Sequence, residues 1–237
     1  MKFSTACAGI LVITVISSCA SVKDIPKYQL ADGYYKSRLF KTNRPFVYVD
    51  NNEDTIAVYR AEGSEKSIDS FVSNKRVFPK QTVKDIYIST TFTQSSFDID
   101  FLTIPFKYRP PQKAFPRQFN TNLNGAVYLG RRTDVYHLKY KETPLHQFQR
   151  RVEHYGFSFG LITGLGGTTM NPSVTNAAIS SEYDGVVWSK GIAGIFGVNN
   201  VTVGLAFGSD DLLDKNKQYW IYQRKLWIGL AFGLNLN

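Results

Sequence analysis

The last stretch of the chain constrains the fold most. From Leu226 it alternates strictly, with Leu226, Ile228, Leu230, Phe232, Leu234 and Leu236 on one parity and Trp227, Gly229, Ala231, Gly233, Asn235 and Asn237 on the other. A period of two is a strand, because successive side chains point to opposite faces. A half-buried strand of a water-soluble sheet carries charges or hydroxyls on its second face. Here that face is mostly glycine, alanine and asparagine, while the first is bulky and apolar over about eleven residues, close to the 9–11 that a tilted strand needs to cross a bilayer. The expected element is the closing strand of a membrane β-barrel, with its bulky side to lipid and its small side to a narrow lumen.

Three other stretches repeat the pattern. In Tyr155–Gly166, Phe157, Phe159, Leu161 and Leu165 oppose Gly156, Ser158, Gly160, Gly164 and Gly166. In Glu182–Val198, Val186, Trp188, Ile192, Phe196 and Val198 oppose Gly185, Ser189, Gly191, Ala193 and Gly197. Val201–Gly208 follows the turn at Asn199-Asn200 and separates Val201, Val203, Leu205 and Phe207 from Thr202, Gly204, Ala206 and Gly208. Lys190 falls on the apolar parity. At mid-membrane it would cost about 2–4 kcal/mol, so it is expected near an interface.

Upstream, strands are expected over Thr82–Thr93 and Phe97–Arg109, with a turn at Ser95-Ser96. Pro105 marks a bulge in the second, because proline removes a ladder donor. Arg117–Leu129 contains the turn signal Asn124-Gly125, and Val135–Lys141 follows a break at Arg131–Asp134. The sum is an all-β fold, an antiparallel meander of about eight strands forming a transmembrane β-barrel of outer-membrane type. Its interior is expected to be just filled by side chains. Pro110–Pro116, Thr143–Arg151 and Asn199-Asn200 are expected on the periplasmic side. Ser95-Ser96, Arg131–Asp134, Gly167–Thr175 and Ser209–Lys217 are expected outside.

Composition agrees. Aromatics make up 14% of the 237 residues, with 17 Phe and 14 Tyr, an excess suited to interfacial girdles. A hydrophobic fraction of 43% and mean hydropathy of −0.21 exclude a bundle of membrane helices. They permit a barrel, whose strands are apolar on one face only. The net charge of +9 is spread in pairs such as Arg131-Arg132 and Arg150-Arg151, which favours lipid headgroups over nucleic acid.

Both cysteines, Cys7 and Cys19, lie in the first twenty residues. Met1-Lys2, an apolar run from Ala6 to Ile16 and small residues after it form a secretory signal. Ile16-Ser17-Ser18-Cys19 resembles a bacterial lipobox, which implies cleavage before Cys19 and acylation of its thiol. The expected layout is a lipoprotein signal at residues 1–18, a tether at 19–32, a small β-rich module at 33–80 and the barrel at 82–237. Hairpin strands Pro45–Asp50 and Thr55–Arg60, joined at Asn51-Asn52-Glu53-Asp54, build the module. It is free to plug the lumen, cover one rim or stand apart.

Reactive constellations are sparse. His137, His146 and His154 lack metal spacing and accompany no nucleophile motif. Asp98 and Asp100 share a strand face and could pair with Lys107 or Arg109, but are expected to be solvated at a strand end. Asp210, Asp211 and Asp214 lack the glycine and spacing of a calcium loop and are read as a solvated loop. No catalytic residue, metal or cofactor is expected, and Cys19 is the single assigned site, for lipid attachment.

The runs FDIDFLTIPFKYRP, FNTNLNGAVYLGRRTDVYHLKYKETPL, HYGFSFGLITGLG and YWIYQRKLWIGLAFGLNLN resemble outer-membrane β-barrel proteins of the Bacteroidetes. The resemblance covers roughly residues 82–237 and implies a fold and a location rather than an activity. The expected function is a non-catalytic structural or interaction lipoprotein of the envelope, meeting outer-membrane lipids and a possible protein partner. A narrow transport or ligand-binding barrel and a lipid-modifying enzyme are alternatives. The last requires His137 or His154 to meet a serine or carboxylate at the outer rim. A tethered soluble barrel of lipocalin type would instead turn Leu226, Ile228, Leu230 and Phe232 inward.

Overall fold

A computed structural model describes residues 28–40, 46–62, 67–68, 75–83, 89–112, 115–199 and 201–234. Cys19 and the lipobox lie outside these residues. In chain order the strands are β1 (Gly33–Lys36), β2 (Phe46–Asn51), β3 (Thr55–Glu62), β4 (Ser67–Ile68), β5 (Lys75–Pro79), β6 (Gln81–Thr82), β7 (Thr90–Arg109), β8 (Gln118–Asn120), β9 (Asn124–Glu142), β10 (Phe148–Met170), β11 (Tyr183–Val198), β12 (Val201–Leu212) and β13 (Leu226–Leu234). The described residues contain no α-helix, only short 3₁₀ turns at Ser173–Thr175 and Lys215–Gln218.

The strands form one antiparallel sheet that closes on itself. β7, β9, β10, β11, β12 and β13 pair in that order, and β13 returns to β7, making a ring of six strands. Side chains of the glycine-interleaved strands point as their parity dictates. Phe157, Phe159, Leu161, Val203, Leu205, Phe207, Ile228, Leu230 and Phe232 lie on the outer surface, and Ala193, Ala206, Trp227 and Ala231 are buried inside. This excludes the lipocalin-type arrangement.

The ring has six strands rather than about eight, because expected turns are strand interior. Ser95-Ser96 lies within the 20 residues of β7. Arg131–Asp134 lies within the 19 residues of β9, with Arg132 and Asp134 buried. Asn124-Gly125 opens β9 and makes no hairpin, and β10 runs on to Met170. There the outward residues change from polar to apolar along β7, and from apolar to polar along β9. The bulge expected at Pro105 is present: β13 and β7 slip by one residue between the pairs Leu230–Phe106 and Phe232–Thr103.

The small inward residues let the strands come close. A Cβ on Gly164 would collide with the Gly125 carbonyl, and one on Gly191 with the Phe207 carbonyl. Only hydrogen fits at such points.

The described residues between 33 and 80 neither plug the ring nor stand apart. β1 pairs with β7 at Lys36–Thr93, β2 with β1, β3 with β2, and β5 with β3. Beyond Lys80, β6 pairs with β10 at Phe148–Thr82. The sheet thus closes a second circuit that shares the first parts of β7 and β10 and the last part of β9. Its core joins Tyr35, Val47, Val49, Ile56 and Val58 to Phe92, Tyr136 and Leu138 of the long strands.

The turns at Thr143–Gln147 and Asn199 lie at the module end of the ring, and the longer connections that leave Arg109, Met170 and Leu212 start at the other. Pro110–Pro116 therefore belongs with the long connections, opposite to expectation. Odd strand counts upstream had reversed its side.

Candidate functional site

Inside the ring, side chains are stacked in layers. At the long-loop end, Met170, Val174, Val187, Leu212, Trp220 and Tyr222 form a lid of apolar groups. Beneath it Asp210, fully buried, is the hub of an ion cluster. It accepts from Lys107 Nζ at 3.1 Å, Arg109 Nη2, Ser189 Oγ at 2.6 Å and Trp227 Nε1 at 2.8 Å. Lys107 also lies 4.5 Å from the Trp227 ring centroid, and Arg109 5.1 and 5.2 Å from those of Trp220 and Tyr222. Two cations around one carboxylate leave a net positive charge, spread over aromatic faces that attract it.

The next layer is apolar, built from Leu102, Ile104, Ala126, Ile162, Ile195 and their neighbours. Toward the module a second polar cluster follows. Asp134 accepts from Arg132 Nε at 2.8 Å and lies 2.7 Å from His154 Nε2. Tyr128 and Ser158 share a hydroxyl contact of 2.6 Å. Asp98 and Asp100 are buried at this level, within electrostatic reach of Arg132. Tyr136 covers the His154 ring at 4.8 Å, and behind it begins the module core.

Several sequence expectations change here. Asp98 and Asp100 are buried rather than solvated, and Lys107 and Arg109 bond Asp210 instead. Asp210 is an inward residue of β12, not part of a solvated loop, and Asp214 caps the 3₁₀ turn after it. His154 is mid-strand and shut from solvent. The signal was present as parity. Lys107 and Arg109 are two apart, Asp210 shares the parity of Gly204, Ala206 and Gly208, and His154 that of Gly156 and Ser158. What parity cannot supply is the partner across the ring.

His137 is on the outer face of the module end, with Nε2 3.0 Å from Ser89 Oγ and Nδ1 3.2 Å from Thr91 Oγ1. A nucleophile–base contact of this length is compatible with catalysis, but the group on Nδ1 is a hydroxyl, which orients the ring without stabilising an imidazolium. His146 is exposed in the Thr143–Gln147 turn, 3.0 Å from Glu142. Among the described residues no three His, Cys, Asp or Glu side chains are grouped to hold a metal.

Lys190 keeps the outward parity midway along β11, opposite Thr163 and Ser209. Its ammonium is 2.7 Å from Asp211 and 4.7 Å from the Trp188 ring centroid, and Arg224 meets the same carboxylate at 2.7 Å. The outer surface from Tyr155 to Leu165, which includes this ion group at the level of Thr163, is otherwise an apolar belt contributed by all six ring strands. From Tyr155 to Leu165 it spans ten residues of β10. At about 3.3 Å per residue and a tilt near 45° this gives roughly 23 Å, near the ~25 Å apolar band of outer-membrane barrels.

No family model, curated protein or solved structure matches the chain.

Proposed function

We propose that the chain is an outer-membrane β-barrel lipoprotein, a non-catalytic structural or interaction component of a bacterial envelope, of the kind found in the Bacteroidetes. The observation that carries this reading is the inverted polarity of the six-strand ring, with aromatic and aliphatic side chains outside and ion clusters inside. Monomeric soluble proteins rarely expose apolar patches beyond a few hundred Å², and here such residues encircle the ring. The module end carries the short turns and faces the periplasm, where Cys19 holds its lipid. The long connections face outward, as in bacterial barrels generally. Outer-membrane lipids are direct partners, with the module's water-facing surface open to an envelope protein.

The transport alternative needs a free lumen. The layers of Tyr128, Ile162, Trp227 and the two ion clusters occupy that space and count against it. The lipid-modifying alternative draws support from the Ser89–His137 contact. That contact lies at the module end rather than at the outer rim.

Membrane fractionation with a carbonate wash, followed by electrophoresis with and without boiling, tests the reading. The chain should stay in the pellet even when Cys19→Ala removes the lipid site, and its migration should shift on boiling. Release of Cys19→Ala into the wash, with unchanged migration, would overturn it.

A further inference from the structure

The apolar belt has gaps at two outward glycines, Gly125 and Gly194, and the second opens a lined groove. On β11 the outward residues run Ile192, Gly194, Phe196, and a Cβ built on Gly194 would meet nothing within 4 Å. Across the ladder Gly194 stands between Phe159 and Leu205. The missing side chain opens a groove of about 460 Å³, floored by Gly194 and walled by Phe157, Phe159, Phe196, Leu205 and Leu230. Glycine here relieves no collision, unlike Gly164 or Gly191, so packing does not explain it.

Toward the module end of the same strands lies a polar pocket, also of about 460 Å³, lined by Gln149, Arg150, Arg151, Val152, Glu153 and Asn199. Arg150 has the inward parity of Val152 and donates to the Phe78 carbonyl at 2.6 Å, whereas Arg151 and Glu153 face out; Lys139 matches Glu153, leaving Arg151 as the net positive charge on the outer face. Between pocket and groove stands the outward pair Tyr155–Val198. From Glu153 to Phe157 the strand advances about 13 Å, or about 9 Å in depth at a tilt near 45°. A leaflet of half the ~30 Å hydrocarbon core is about 15 Å deep, so a headgroup in the pocket places its acyl chain at the groove.

We propose that this face of β10–β12 seats one anionic phospholipid, its phosphate at Arg151 and an acyl chain over Gly194. The proposal rests on the membrane reading above. Charge complementarity selects the anionic headgroup, and the apolar lining of the groove selects the chain. A flat belt would hold lipids without preference; a pocket and groove in register hold one.

The test uses the full chain in phosphatidylcholine nanodiscs doped with phosphatidylglycerol, then native mass spectrometry of the extracted protein. One phosphatidylglycerol should remain per chain, in preference to phosphatidylcholine. Gly194→Leu should weaken retention about ten-fold or more, the equivalent of roughly two buried methylenes at 0.8 kcal/mol each. Arg151→Gln should cut the preference for phosphatidylglycerol about five-fold, from roughly 1 kcal/mol per basic residue at an anionic surface. Both variants should keep the boiling-dependent migration of the parent. Equal retention of the two lipids, or folded variants that retain lipid like the parent, would overturn the seat while leaving the membrane reading intact. So would a dimer that Gly194→Leu dissociates, since the groove would then seat a second copy. Failure of every variant to enter the nanodisc would overturn both.

Discussion

The two ends of β7, β9 and β10 obey opposite rules. In the module half of β7, Phe92 is inside while Thr91 and Thr93 face out; six residues on, Asp98 and Asp100 are inside while Phe97, Ile99 and Phe101 face out. β9 makes the same exchange in reverse order. Leu129 is outside against buried Tyr128, then His137 and Lys139 are outside against buried Tyr136 and Leu138. One backbone, unbroken in pairing, carries a water-soluble core at one end and an inverted one at the other. Strand geometry is indifferent to which face is apolar. On the proposed membrane reading the surroundings decide it, and the crossover near Ser95 and Arg132 is where they would change.

The largest expected difference between the halves comes from the buried ions. Asp210→Ala leaves Lys107 and Arg109 without their carboxylate, and breaking such a pair costs about 3–5 kcal/mol. Denaturant unfolding in a bilayer mimetic reads this, and Lys107→Met added to it should recover part of the loss. In the module the matching change is an apolar truncation, Leu138→Ala, at about 2–5 kcal/mol. A neutral Asp210→Ala would mean that the ring interior is wet.

Outer-face charge should separate the halves next. Phe159→Arg places a cation on the belt, at about 2–4 kcal/mol if that surface meets hydrocarbon. Thr93→Arg, on the outer face of the module, should stay within about 0.5 kcal/mol. Equal effects would erase the distinction.

Within the ring, Gly164→Leu should destabilise by about 1–3 kcal/mol through overpacking against the Gly125 carbonyl, whereas Gly194→Leu should leave folding nearly unchanged. The smallest effect is a pH dependence confined to the module. Burial pushes the Tyr35 hydroxyl up to about 12, with lesser contributions from nearby Asp134 and Asp32 against the Ala31 carbonyl bond. The folded state therefore holds this proton when the unfolded chain has begun to lose it. The contribution to stability is full below about pH 10 and is lost as pH rises toward 12. Following phenolate absorbance against β-structure in alkali should show late ionisation coincident with loosening of the module.

Much of this was legible in residue parity. The strands β10 to β13 and their outward faces follow from glycine alternation alone, and the bulge in β7 from the missing donor of Pro105. The count failed where polar residues interrupt a strand, because Ser95-Ser96 and Arg131–Asp134 look like turns to any reading that assumes one environment per strand. The ion clusters escaped for a different reason. Asp210 and Lys107 are 103 residues apart, and closure of the ring alone brings them together. The Gly194 groove was visible as a gap in the bulky parity of β11, but its depth depends on Phe159 and Leu205 from neighbouring strands.

The central claim is that the belt touches lipid hydrocarbon while the module's outer face touches water. Photolabelling from a phospholipid with a diazirine on its acyl chain, followed by peptide mapping of the reconstituted protein, tests it without substitution. The account predicts adducts on Phe157–Leu165, Val203–Phe207 and Leu226–Phe232, and none on β2, β3 or the Thr91–Ser95 face of β7. Adducts spread over both halves, or absent from the belt, would contradict it.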